Sequence, residues 1–202
     1  MALTKISNNS LSAISSLPAS IPTGSLTLLS TQTASASASI EFTSGIDSTY
    51  DSYVFKFINI DQSVDLADFG FNMSTDGGSN YNVTKTSTAF KAQHQGSTGL
   101  YGQLNYFTSG DLAQSTADQR LTEALEADVA SASMSGYLQL FNPSSDTFVK
   151  HYIYVDSEYG NDSFAVNYFA AGYGNTTSPV DAVRFQFDSG TFDGIIKMYG
   201  VS

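Results

Sequence analysis

Val183-Arg184-Phe185-Gln186-Phe187-Asp188-Ser189-Gly190 runs into a turn and is answered by Ile195-Ile196-Lys197-Met198-Tyr199-Gly200. Val183, Phe185 and Phe187 alternate with Arg184 and Gln186. An extended chain points successive side chains to opposite faces, so this period of two specifies a strand with one buried and one wet face. The two segments read as a last hairpin, closing the domain around Asp188-Ser189-Gly190. The same period recurs along the chain and predicts an all-β protein: an antiparallel sandwich of jelly-roll or lectin-like type.

Working outward, Tyr53 to Ile60 is the strongest strand. Tyr53, Phe55 and Phe57 mark one face and Val54, Ile58 and Ile60 the other. Two apolar faces predict a central position. Phe69, Phe71 and Met73 alternate next, and Ser74-Thr75-Asp76-Gly77-Gly78-Ser79-Asn80 reads as a hairpin connection, with Asp-Gly supplying the positive φ. Tyr81, Val83 and residues 84–90 form the returning strand. Further strands are expected over 100–107, 134–141, 148–155 and 164–171, with turns at Asn142-Pro143-Ser144-Ser145-Asp146 and from Gly172 to Pro179. Near the start, Leu26-Thr27-Leu28-Leu29 is a strand, and the Ala/Ser alternation from Thr33 leads to Ile40 and Phe42, its second half extended. About ten strands at roughly 10–15-residue spacing indicate a sandwich or jelly roll. Residues 108–133 carry two readings. Leu121, Leu125 and Val129 suit a helix, while the Ala/Ser/Thr content suits an exposed loop with strand pieces.

The chain has 202 residues, 41% of them apolar, enough for one large β domain with a core. Charged residues are only 13%, about half the usual share. The net charge of −11 repels phosphate backbones and anionic lipid, so neither nucleic-acid binding nor membrane insertion is expected. No cysteine is present, which excludes disulfides and thiolate metal sites. No apolar run approaches a membrane span, and Met1 to Ser7 does not read as a secretion signal. Residues 1–40 hold one charge, Lys5, and all 19 carboxylates lie beyond them. Leu3, Ile6, Leu11, Ile14 and Leu17, spread through Ser and Asn, make residues 1–24 an attachment arm. Residues 25–202 form the single sandwich domain.

Catalytic chemistry is sparse. His151 alternates with Val149 and Ile153 and reads as an ordinary strand histidine; His94 is the only other. No Gly-x-Ser-x-Gly elbow supports a serine triad. Glu123, Glu126 and Asp128 form a solvated acidic loop rather than a glycosidase pair. Asp76, Asn80 and Asn82 approach calcium-loop spacing, but position 87 is Ser87 where an EF-hand needs Glu. Hairpin chemistry accounts for them, and neither metal nor cofactor is expected. The Asn-x-Ser/Thr triplets at Asn72, Asn82, Asn161 and Asn175 read as chance. Tyr101, Tyr106, Tyr159 and Tyr173 near loops, with Asn175, are candidates for stacking on a glycan.

One resemblance covers most of residues 25–202. Its words are Ser30-Thr31-Gln32-Thr33-Ala34 through Phe42-Thr43-Ser44-Gly45-Ile46-Asp47-Ser48-Thr49-Tyr50, Phe141-Asn142-Pro143-Ser144-Ser145 with Phe148-Val149-Lys150-His151, Gly172-Tyr173-Gly174-Asn175-Thr176-Thr177, and Ala182-Val183-Arg184-Phe185 with Ile196-Lys197-Met198-Tyr199-Gly200. In this order they resemble a family of short virion structural proteins of tailed bacteriophages, marine phages especially. The resemblance implies a non-enzymatic virion component and transfers no catalytic residue. With the uncharged arm, it sets the expectation of a tail-fibre or tip module or a head-decoration protein on the particle surface. Such a protein is made in the host cytoplasm, contacts other virion proteins and forms a homo-oligomer, a trimer by preference. A carbohydrate-binding module recognising host surface glycan is the alternative.

Overall fold

A computed structural model describes residues 26–96, 101–122, 125, 127, 132–160 and 163–202. The predicted arm, with Leu3, Ile6, Leu11, Ile14 and Leu17, lies outside them, as do Glu123, Glu126, Asp128, Val129 and Asn161. The described residues form twelve strands: β1 (Thr27–Ser37), β2 (Ser39–Phe42), β3 (Ser52–Gln62), β4 (Phe69–Ser74), β5 (Lys85–Gln95), β6 (Gly102–Tyr106), β7 (Gln119–Arg120), β8 (Met134–Phe141), β9 (Lys150–Gly160), β10 (Phe164–Gly174), β11 (Ala182–Phe187) and β12 (Phe192–Val201). They form two antiparallel sheets packed as a jelly-roll-like sandwich. The large sheet has eight strands in the order β1-β12-β3-β8-β9-β10-β5-β6, and the small sheet has four, β2-β11-β4-β7.

The alternation read from the sequence sets which side chains meet between the sheets. Tyr53, Phe55 and Phe57 of β3, Leu138 and Leu140 of β8, and Ile196 and Met198 of β12 face inward from the large sheet. Ile40, Phe42, Phe69, Phe71, Met73, Val183, Phe185 and Phe187 answer from the small one. Phe185 is the shared partner. Its ring centroid lies 5.0 Å from Phe57, 5.2 Å from Phe55, 6.1 Å from Phe69 and 6.3 Å from both Phe42 and Phe71. These are favourable edge-to-face and offset distances, so one residue ties β2, β3, β4 and β11 together.

Several expectations are corrected. The final two strands are not a hairpin. β11 pairs with β2 and β4, whereas β12 pairs with β1 and β3. The turn at Gly190 (φ 75°) carries the chain from one sheet to the other. The Asp76-Gly77-Gly78 connection is likewise a crossing, from β4 in the small sheet to β5 in the large. A hairpin and an inter-sheet arch demand the same turn residues and the same period of two, so local sequence does not separate them. Ile60 faces the core, not the face of Val54 and Ile58. Asn59 adopts φ 49°, the register slips between Phe57 and Ile60, and the strand gains half a turn of pleat. Gly194 lies across from this bulge at φ 135°, where an added Cβ would stand 2.7 Å from the Asn59 carbonyl oxygen. The Ala/Ser stretch is strand along its first half as well, in β1. The segment after β6 holds a 3₁₀ turn, Thr108–Gly110, and β7. Leu121 and Leu125 are buried there without α-helix among the described residues.

Phe185→Ala is expected to cost about 3–5 kcal/mol by leaving a cavity between the sheets. Phe148, 66% exposed, should change stability by less than about 0.5 kcal/mol when replaced by Ala. Urea unfolding of the two variants beside the native chain measures both.

Candidate functional site

The outer face of the large sheet is the most unusual surface of the molecule. Along β8 the outward residues are Ser135, Tyr137, Gln139 and Phe141; along β9, His151, Ile153, Val155, Ser157 and Tyr159. On β10, β5 and β6 the same face carries the odd-numbered residues from Ala165 to Tyr173, the even-numbered residues from Thr86 to His94, and Gly102, Leu104 and Tyr106. None of these positions is Asp, Glu, Lys or Arg. The register lines up Tyr137, Val155, Phe169, Phe90 and Tyr106 in one row across five strands. Phe90 and Phe169 stack at 4.8 Å. Leu104 is 73% and Tyr106 63% exposed. Exposed apolar bands of this kind are uncommon on monomeric chains.

Three of the predicted glycan residues, Tyr106, Tyr159 and Tyr173, are spread along this face, and Tyr101 and Asn175 lie outside it. Tyr106 lies in the band, and its hydroxyl donates to the Asp111 carboxylate. Tyr159 shares a hydrogen bond of 3.0 Å with Ser163, and Tyr101 packs its ring edge on Phe164 at 5.7 Å. Tyr173 sits at the opposite end, its ring 6.1 Å from His151, and Asn175 donates to Gln114 at 2.7 Å. The partner of Tyr159 on β10 is Ala165, so Tyr159 and Tyr173 are separated by eight residues of strand, about 26 Å. They do not form one site. Tyr173 lines a concavity of ≈ 580 Å³ with Phe141, His151, Ile153, Thr86 and Thr88, and Tyr159 lines a separate, more polar one of ≈ 510 Å³ with Ser135, Ser157 and Ser163. His94 pairs with Ala165 and His151 with Tyr173, which keeps the histidines equally far apart.

Between the sheets lies a polar cluster that the sequence reading missed. Asp156 and Glu158 point inward from β9 and are 4% and 3% exposed. Asp156 accepts hydrogen bonds from the Tyr154 hydroxyl at 2.7 Å and the Tyr168 amide at 2.8 Å. Arg120 and Lys91 flank the Phe107 ring at 5.1 and 5.3 Å, and the field of both acts on Glu158. Desolvation raises both acids, Asp156 to about 6; the Asp156 charge raises Glu158 further, whereas the hydrogen bonds of Asp156 with Glu158, Tyr154 and the Tyr168 amide offset part of its own rise. The signal was present in the pattern: Asp156 and Glu158 continue the inward series Lys150, Tyr152, Tyr154.

Two lysines are fully buried at the other end of the core. The Lys150 ammonium donates to the carbonyls of Ser145 and Phe148 at 2.6 and 2.7 Å, and to those of Thr176 and Thr177 at 3.4 Å. It clamps the 142–149 and 174–180 connections. Lys85 Nζ donates to Asn72 Oδ1 at 2.5 Å and to the Val83 carbonyl at 2.9 Å. Desolvation lowers its pKa to about 8. Asn72 is thereby engaged in the core, as a glycosylation acceptor is not. Asp76 uses both carboxylate oxygens inside its own turn, accepting from Ser74 and from the Asn80 amide and side chain. No group of three His, Cys, Asp or Glu among the described residues is arranged to hold a metal ion, and no described helix is long and apolar enough to cross a membrane. The chain matches no family model, no curated protein and no solved structure.

The buried acids set a pH dependence. Their folded pKa values lie above the unfolded ones, so the folded state binds more protons and stability falls as pH rises from about 4 through 6. The loss due to Asp156 is of order 2–3 kcal/mol. Glu158→Gln should flatten this fall, as read from urea midpoints between pH 4 and pH 7.5.

Proposed function

We propose that the chain is a non-enzymatic bacteriophage virion structural protein, displayed on the particle surface as a tail-fibre or tip module or as a head-decoration protein. The observation that carries the reading is the neutral outer face of the large sheet. In a chain of net charge −11, five adjacent strands present no carboxylate and a continuous aromatic band. Such a face approaches a second copy of the same acidic chain without repulsion, and its burial supplies the association energy. The occupant is a second copy, in a homotrimer, and residues 1–24 anchor the assembly to other virion proteins. The phage resemblance gives the reading its biological setting.

Labelling with gold-conjugated antibody is expected to decorate intact virions. Phe90→Glu, which places a charge in the band, should lower the sedimentation coefficient from that of the assembly to that of the monomer while the β-sheet circular dichroism is kept. A chain lacking residues 1–24 should fold and remain absent from particles. Particles that carry the truncated chain normally, or a native chain that sediments as a monomer, contradict the proposal.

A glycan-binding reading is favoured by one observation, the concavity beside Tyr173. Its aromatic wall and the hydroxyls of Thr86 and Thr88 suit a sugar ring that stacks and hydrogen-bonds. A glycan array should then give hits that Tyr173→Ala abolishes; an array without hits removes this reading.

A further inference from the structure

Lys85 differs from Lys150 in what it faces. Its ammonium lies against a primary carboxamide, that of Asn72, rather than against main-chain carbonyls alone. Lys85 is 0% and Asn72 1% exposed. Lys85 opens β5 of the large sheet, and Asn72 belongs to β4 of the small sheet. The Lys85 backbone is pinned on both sides of its peptide unit, donating to Ser115 at 2.7 Å and accepting from it at 3.0 Å.

Every polar atom of the Asn72 amide is held. Oδ1 accepts from Lys85 Nζ at 2.5 Å and from the Met73 amide at 2.9 Å. Nδ2 donates to the Thr116 carbonyl at 3.0 Å and to Asp118 Oδ1 at 2.8 Å. Asp118 is itself anchored by Gln186 at 2.8 Å and by Arg184 at 3.5 Å. A nucleophile, a carbonyl, a donor to its oxygen and a carboxylate on its nitrogen are therefore assembled, with Lys85 and Asn72 sealed from solvent and the Asp118 side chain 27% exposed beside them.

We propose that Lys85 and Asn72 form an intramolecular isopeptide bond that joins the two sheets, with Asp118 as the acid–base group. The neutral Lys85 amine attacks Cγ of Asn72, and the carbonyl electron pair moves to Oδ1, where the Met73 N–H stabilises it. Asp118 takes a proton released from Nζ and delivers it to Nδ2. The Cγ–Nδ2 bond breaks as the carbonyl re-forms, and ammonia leaves with the bonding electrons. The product is a secondary amide between Nζ and Cγ, and the step needs no oxidant, metal or cofactor. Burial supports it twice over. It depresses the Lys85 pKa and so supplies neutral amine, and it keeps water from competing for Cγ.

The test is the intact mass of the full chain together with a tryptic digest. The native chain should be lighter than its sequence by one ammonia. Cleavage after Lys85 should fail, so that residues 57–91 run as one internally linked peptide. Lys85→Arg and Asp118→Asn should both restore the full mass, and Lys85→Arg should unfold at a lower temperature than the native chain. Full mass with ready cleavage after Lys85 in the native chain overturns the proposal, as does an ammonia loss that persists in Lys85→Arg. A link that still forms in Asp118→Asn overturns the assignment of Asp118. Because Asp118 and Lys85 both contribute to folding contacts, a variant that fails to fold is replaced by Asn72→Ala. That chain should keep its full mass and be cleaved after Lys85, and an ammonia loss in it overturns the proposal.

Discussion

Eight strands at about 4.8 Å spacing make a sheet about 34 Å wide, while four make one about 14 Å wide. The small sheet of this molecule therefore covers only part of the inner face of the large one, and the rest of the structure follows from how the remainder is covered. Where the sheets overlap, the core is aromatic and centred on Phe185. Where β7 ends the small sheet, the covering passes to the 3₁₀ turn, Phe107, Leu121 and Leu125. That cover is irregular and polar, and it is where Arg120, Lys91, Asp156, Glu158, Tyr154 and Tyr168 meet. Gln119 illustrates the transition. It sits on the last strand of the small sheet, donates to the Gly110 carbonyl at 2.8 Å and accepts from the Tyr152 hydroxyl at 2.8 Å. Gln119 is tolerated there because its amide is paired, whereas the Tyr168 hydroxyl is buried without a hydrogen-bond partner.

The distribution of charge follows the same division. The outer side of the small sheet carries Glu41, Arg184, Asp118, Arg120, Asp68 and Asp188, linked in part by the Arg120–Asp68 and Arg184–Asp118 ion pairs. At the β1–β12–β3 end of the large sheet, Lys56 and Lys197 sit side by side in the ladder. The five adjacent strands from β8 to β6 are all neutral on their outer side. Desolvating such a face costs no ion hydration, whereas docking through the opposite sheet would require it.

Strand content was legible because period-two alternation is local. Met134 to Phe141 matches β8 to the residue, and Tyr53 to Phe57 gave the inward face of β3. Sheet membership was not legible, because Gly190 and Gly77 turn the chain equally well into a hairpin or an arch. Ile60 was assigned to the wrong face since a bulge at Asn59 leaves no mark except a residue that tolerates positive φ. Leu121 and Leu125, spaced as in a helix, are instead two separate plugs of the core. Of the tyrosines proposed for glycan contact, Tyr106, Tyr159 and Tyr173 do lie on the neutral face, but their grouping depended on register, which a single strand does not encode.

The two buried lysines show how partner chemistry decides the outcome of a shared position. Lys85 and Lys150 both pair with Gly174 of β10 and both lose their hydration to the core. Lys150 is surrounded by main-chain carbonyls, whose carbons lie within the chain's own peptide bonds; attack there would sever the backbone, and no carboxylate waits on the departing nitrogen. It holds two connections through hydrogen bonds to their carbonyls. Lys85 faces a side-chain amide whose nitrogen is free to depart and is already held by Asp118. A chain without cysteine has no disulfide with which to fix its sheets. Joining β4 to the start of β5 would close a short loop across the sandwich, restricting the unfolded chain as a disulfide does, at the end of the core opposite the polar cluster, where the aromatic packing around Phe185 gives way to loops.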